Sequence, residues 1–285
     1  MTITDSSEKI SFQGNPGAYS DMACHTVFPD METVPCKTFA DAFDALDKDK
    51  VEYAMIPIDN AIAGRVADIH QLLPNSGFYI QQEYFMPIHH CLLGVKGSKT
   101  SDIKHIYSHI HALPQCRNFT KPLAIEEHVF GDTARSAQKV FEMQDKTCAA
   151  IASSMAAELY NLDILEENIE DADYNKTRFV VLSKESVPLK YDPKQSYITS
   201  LIFNVRNIPA VLYKALGGFA TNNVNLTKLE SYMEGGKFTS TQFYCEIEAH
   251  PEQKSLQLAL DELKFFATHI KSLGTYKADP FRKTI

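Results

Sequence analysis

Asn175-Lys176-Thr177-Arg178-Phe179-Val180-Val181-Leu182 runs from a polar turn straight into an apolar, β-branched strand. A turn fused to a strand is held stiffly by its sheet, so Thr177 and Arg178 stand at a rigid edge. One offers a hydroxyl donor and the other a fixed cationic fork suited to a carboxylate or phosphate. The stretch also divides the chain, because the pattern on its two sides differs.

Toward the N-terminus the pattern is strand, turn, helix, repeated. Ile10–Gln13 reads as a strand, and Gly14-Asn15-Pro16-Gly17-Ala18-Tyr19-Ser20 as a turn into a helix reaching Phe28. That geometry presents backbone N–H groups to an anion at a helix start. It lacks the dinucleotide glycine pattern and the P-loop lysine. Thr33–Lys37 and Tyr53–Ile58 read as strands, with a helix over 38–46 between them. Asp59 and Asn60 then read as caps of a further helix ending near Pro74, at the carboxyl end of a strand where open α/β sheets bind ligands. The run 78–95 is extended and apolar, broken by His89-His90. Strands over 103–107, 123–128 and 148–151 follow, with helices after Ser108, Asp132 and Ser153. Alternation of this kind specifies an α/β fold.

Toward the C-terminus, 186–195 carries two prolines and several charges without periodicity, which predicts a linker. Beyond it the spacing predicts strand 197–205, helix 208–220, strand 225–232, a hairpin turn at Glu234-Gly235-Gly236-Lys237, strand 239–248, helix 252–267 and strand 270–276. The order β-α-β-β-α-β is the ferredoxin-like unit.

The chain has 285 residues, consistent with about two domains. A formal net charge of -8 argues against a general nucleic-acid binder. The first residues lack the basic start and apolar run of a signal peptide, and no apolar run reaches membrane-spanning length. The six cysteines are widely spaced with no C-x-x-C, which predicts reduced thiols and a cytoplasmic protein without membrane or nucleic-acid partners. His105, His109 and His111 lack a second ligand cluster nearby in sequence, so a polar turn is expected there rather than a metal.

Several segments, in order, resemble the prephenate dehydratase family with its C-terminal ACT domain. Residues 13–20 are similar to the family's glycine loop, and Pro57-Ile58-Asp59-Asn60-Ala61 to its P-I-E-N-S segment. Ser108 to Cys116 resembles S-H-P-Q-A-L-x-Q-C when aligned from Ala112-Leu113 and Gln115-Cys116. Asp132-Thr133-Ala134 and Thr177-Arg178-Phe179 match two further segments, and Leu229-Glu230-Ser231 resembles the E-S-R-P motif, with Tyr232-Met233 in place of Arg-Pro. The resemblance implies a two-lobed, periplasmic-binding-protein-like catalytic domain over 8–185, a linker over 186–195 and an ACT domain over 196–280. It implies decarboxylative dehydration of prephenate to phenylpyruvate without cofactor or metal, L-phenylalanine as allosteric inhibitor, and a homodimer or homotetramer.

On that resemblance Thr177, Asn60, Ser108 and Gln115 are the expected catalytic residues. Arg178, Gly17, Ala18 and Phe179 are the expected substrate-binding residues, with Phe179 also anchoring its strand. Leu216, Gly217, Gly218, Glu230 and Ser231 are expected to hold phenylalanine. Arogenate as substrate, or a small-molecule binding module without catalysis, are the alternatives.

Overall fold

The computed structural model describes residues 8–233 and 240–284. In chain order the elements are β1 (Lys9–Gln13), α1 (Tyr19–Val27), β2 (Glu32–Cys36), α2 (Phe39–Asp47), β3 (Tyr53–Asn60), β4 (Gly64–Arg65), α3 (Ala67–Ser76), β5 (Tyr79–Pro87) and β6 (Cys91–Gly94). They continue as β7 (His105–His109), α4 (Arg117–Thr120), β8 (Glu126–Phe130), α5 (Thr133–Met143), β9 (Cys148–Ala152), α6 (Ser154–Leu159), β10 (Asp163–Glu166) and β11 (Lys176–Ser183). The last part holds β12 (Tyr197–Val205), α7 (Val211–Thr221), β13 (Leu226–Met233), β14 (Ser240–Ile247), α8 (Lys254–Phe266) and β15 (Ala267–Lys277). The expected hairpin turn at 234–237 lies outside the described residues.

One sheet has the order β2-β1-β3-β11-β5, with β4 folded back on β3. A second has the order β10-β6-β9-β7-β8. Its strand β9, Cys148-Ala-Ala-Ile-Ala, is buried at every position. Ala150 and Ala152 enter an apolar cluster with α5 and α6, while Ala149 and Ile151 enter another with Leu113 and Cys116. A strand covered on both faces has no polar side, so it reads as a continuous apolar run. α5 begins where Asp132 accepts the Arg135 N–H, and α6 where Ser153 accepts the Ala156 N–H.

The chain clusters into two compact units, residues 1–69 with 84–179, and residues 70–83 with 180–285. Of the span 8–185 expected to form one domain, residues 70–83 and 180–185 cluster with the second unit. Within that unit Glu83 is buried and accepts from Arg282 Nε and Nη2 at 2.7 and 2.9 Å, and Arg282 also reaches Glu246 at 2.9 Å. A buried carboxylate needs such a partner, and the partner comes from the far end of the chain. In the second unit the sheet order is β13-β14-β12-β15 with α7 packed on α8, the ferredoxin-like arrangement.

Two local expectations change. Asp59 and Asn60 cap no helix: they end β3, and the chain turns into β4 with Asn60 opposite Gly64. β10 was not foreseen, because Asp163-Ile-Leu-Glu alternates too briefly to stand out.

Candidate active site

Asn60 closes β3, and its side chain fixes the turn that follows. The backbone N–H groups of Ile62 and Ala63 reach Asn60 Oδ1 at 3.0 and 2.7 Å. Backbone N–H groups only donate, so the atom they meet is the carbonyl oxygen. The amide NH2 therefore faces the other way. It donates toward Asn175 Oδ1 at 3.0 Å, the Lys176 carbonyl at 3.2 Å and Thr177 Oγ1 at 3.0 Å.

This polarity passes along a chain of side chains. Asn175 gives its oxygen to Asn60, so its Nδ2 donates to Gln115 Oε1 at 2.8 Å. Gln115 Oε1 also lies 3.1 Å from His90 Nε2, which must then carry the imidazole proton. His90 Nδ1 is left as an acceptor, so the single Tyr19 hydroxyl proton is shared between it, at 2.6 Å, and the His89 carbonyl, at 2.9 Å. His90 is 2% exposed, and burial pulls its pKa below the ordinary histidine value, opposed by the bond to Gln115. The imidazole is neutral at physiological pH. Burial likewise pushes the Tyr19 phenol well above its usual pKa.

The arrangement gathers Thr177, Asn60 and Gln115 into one network. The Thr177 oxygen accepts from Asn60, which directs its own proton elsewhere. Ser108 stands outside this network: it is fully buried, and its hydroxyl donates to the Ile151 carbonyl at 2.7 Å. Asn175, His90 and Tyr19 are the members that sequence reasoning missed. Asn175 lies two residues before Thr177 and carried a usable signal, an amide beside a hydroxyl in a rigid turn. Nothing local marks His90 or Tyr19.

The four residues expected to bind substrate have the following surroundings. Successive strand residues face opposite sides of a sheet, so Arg178 points away from the side that Thr177 occupies. It is 5% exposed, 3.6 Å from Asp59 Oδ2 and stacked over the Phe85 ring at 5.7 Å. Asp59 and Asn60 alternate in the same way, one meeting Arg178 and the other Thr177. Phe179 is 1% exposed and belongs to the core. Gly17 N–H donates to Asp21 Oδ2 at 2.8 Å and Ala18 N–H to the Asn15 carbonyl at 3.0 Å, so both amides have partners within the turn.

The glycine loop instead closes on α5 and α6. Ser153 donates to the Gly17 carbonyl at 2.6 Å, Tyr160 to the Pro16 carbonyl at 3.0 Å, and Asn15 to Asp132 Oδ2 at 3.0 Å. A Cβ on Gly17 would lie 3.0 Å from the Ala156 Cα, at a φ of +85, so glycine is required there twice over.

In the second unit, Leu216, Gly217 and Gly218 lie on α7 and Glu230 and Ser231 on the edge strand β13. A Cβ on Gly218 would lie 2.7 Å from Glu262 Cβ, so this glycine lets α7 approach α8. Gly217 has open space around it. Glu230 lies 4.0 Å from Lys228 Nζ.

The family model described as prephenate dehydratase matches residues 10–187. A bifunctional N-acyl-homoserine lactone acylase/prephenate dehydratase of Komagataeibacter europaeus is 47% identical over 274 residues, 96% of this chain and 97% of that protein. Arogenate dehydratase/prephenate dehydratase 1 of Arabidopsis thaliana is 40% identical over 98% of this chain and 74% of its own length. The crystal structure of a prephenate dehydratase from Arthrobacter aurescens in complex with L-Phe superposes with a TM-score of 0.86 at 26% identity, covering 95% of this chain and 90% of that chain.

Proposed function

The chain belongs to the prephenate dehydratase family, and from that premise we propose that it converts prephenate to phenylpyruvate, with Thr177 as the acid. Prephenate is a dianion carrying a ring hydroxyl and a ring carboxylate. The C–O bond breaks, the oxygen takes a proton and leaves as water, and the ring carboxylate departs as carbon dioxide. Its bonding pair completes the aromatic ring, and one proton is consumed overall. Aromatisation supplies the driving force, so the protein's task is to assist the leaving oxygen.

The observation that carries this reading is the 3.0 Å bond from Asn60 Nδ2 to Thr177 Oγ1. A hydroxyl that already accepts a hydrogen bond donates more strongly, because bonds in series polarise one another. Positioned acid assistance is typically worth about 10²–10⁴-fold. Asn60, Asn175, Gln115, His90 and Tyr19 act by holding that orientation. Arg178 and Phe179 act by fixing β11 against Asp59 and the core, and Gly17 and Ala18 by closing the loop. Ser108 holds β7 to β9.

We assign residues 196–280 as an ACT domain that binds L-phenylalanine near Leu216, Gly217, Gly218, Glu230 and Ser231. The Arthrobacter aurescens protein solved with L-Phe supports this. Two further readings each have an observation behind them. The Arabidopsis relative is named for arogenate as well as prephenate, and the Komagataeibacter relative for an acylase.

One preparation tests all three. Purified protein is given prephenate, arogenate or an N-acyl-homoserine lactone, and product is measured with and without L-phenylalanine. Phenylpyruvate formed from prephenate and suppressed by phenylalanine is the expected result. No turnover of prephenate overturns the proposal.

A further inference from the structure

β7 and β8 lie parallel in the second sheet, with His105 opposite Glu126 and Tyr107 opposite His128. Side chains two apart on a strand share a face, so His105, Tyr107, Glu126 and His128 stand together on one side of it. β8 is the edge strand, and the side chains of His105, His128 and Glu126 are 37%, 32% and 66% exposed. The three polar groups converge. His105 Nδ1 is 3.2 Å from His128 Nε2 and 3.3 Å from Glu126 Oε2, and His128 Nε2 is 3.8 Å from Glu126 Oε1.

These separations match a coordination polyhedron. Zinc holds imidazole nitrogen and carboxylate oxygen at about 2.0–2.1 Å, so two donors on a tetrahedron stand about 3.3–3.4 Å apart. Two nitrogens and one oxygen suit zinc, copper or nickel, whereas magnesium and calcium prefer oxygen alone. The backbone register holds both strands, and the His128 ring stacks on Tyr107 with centroids 4.7 Å apart at 16°. That stacking holds the plane of the His128 ring. Lys139 Nζ lies 4.4 Å from the Tyr107 ring centroid, so its charge is drawn to the aromatic face.

We propose that His105, Glu126 and His128 bind one divalent transition-metal ion of the zinc type, leaving the fourth position to water. The site is separate from the Thr177 network and does not depend on the reaction assigned to it. Bound metal ties the edge strand β8 to β7, so it stabilises the folded chain by mass action. Histidines 109 and 111, with ring centroids 5.2 Å apart, make a separate pair and serve as the control.

The test uses the full chain, free of any affinity tag and stripped with chelator, titrated with zinc chloride by calorimetry and with cobalt by visible absorbance. One equivalent of zinc is expected, with the intense cobalt bands of tetrahedral coordination. His105→Ala and His128→Ala should each weaken binding by at least about tenfold, since even loss of a supporting group costs that much. His111→Ala should bind as the unsubstituted protein does. Zinc should raise the melting temperature of the unsubstituted chain and not that of His128→Ala. Absence of stoichiometric binding overturns the proposal, and so does equal affinity in both histidine variants, which would leave the triad as hydrogen-bonded side chains only.

Discussion

Replacing Asn60 with Asp changes one group and almost no volume, and it inverts half of that residue's hydrogen bonding. The edge that accepts from Ile62 and Ala63 N–H is kept. The opposite edge now presents an oxygen to Asn175 Oδ1, the Lys176 carbonyl and Thr177 Oγ1, which stand 3.0, 3.2 and 3.0 Å from the native Nδ2. Two N–H donors are lost at about 1 kcal/mol each, so folding should weaken by about 2 kcal/mol. Oxygens facing a carboxylate also favour its protonated form, which raises its pKa. At neutral pH the ionised carboxylate accepts a hydrogen bond from the Thr177 hydroxyl, which then no longer points at the leaving oxygen. Turnover should then fall by the share ascribed to the acid, about 10²–10⁴-fold, or about 3–5 kcal/mol of barrier. Prephenate is a dianion, so KM should rise as well, and kcat and KM must be measured separately. As pH falls the new carboxyl regains a proton and a donor edge, so Asn60→Asp should recover relative to the unsubstituted protein. The assay is initial-rate phenylpyruvate formation across pH, with circular dichroism to establish folding. A folded variant whose kcat stays within about threefold, less than 1 kcal/mol of barrier, would refute the reasoning.

Thr177→Val keeps the shape and removes the hydroxyl. Its kcat should drop about 10²–10⁴-fold with KM little changed, as read by steady-state kinetics. Gly218→Ala places a Cβ 2.7 Å from Glu262 Cβ and should destabilise by about 1–3 kcal/mol, whereas Gly217→Ala meets nothing within 4 Å and should be neutral or stabilising by up to about 1 kcal/mol. Denaturant unfolding of the pair reads the difference. His90 has a lowered folded pKa, so its contribution to stability is full above the unfolded value of about 6.5 and is lost as pH falls through the folded value. Stability should decline as pH falls from about 6.5 to the folded value and level off below it, and His90→Gln should flatten the decline in thermal melts taken across pH.

The patterning along the chain determined most of the elements, with β10 and the β3–β4 turn as exceptions. Apolar runs with turn residues between them gave the strands, and helical spacing gave the helices, because both periods are local properties of the backbone. The change of pattern after 195 likewise separated a ferredoxin-like tail. Asn60, Gln115 and Thr177 were legible as candidates because each sits in a short segment of recognisable order. Only the tertiary structure decided which side chains meet. Asn60 and Asn175 are 115 positions apart, and Asn60 and Thr177 are 117. Their contact exists because the ends of β3 and β11 converge. Strand alternation separates Thr177 from Arg178, although the two are adjacent in sequence, and the half-buried Asp59 partner holds the buried Arg178 on the far face. His105 joins Glu126 and His128, rather than His109 and His111, through the register of two parallel strands. A hydrogen bond acts over about 3 Å and depends on direction, so its partners are set by where the chain returns and which face it shows. Neither quantity is written in any single stretch.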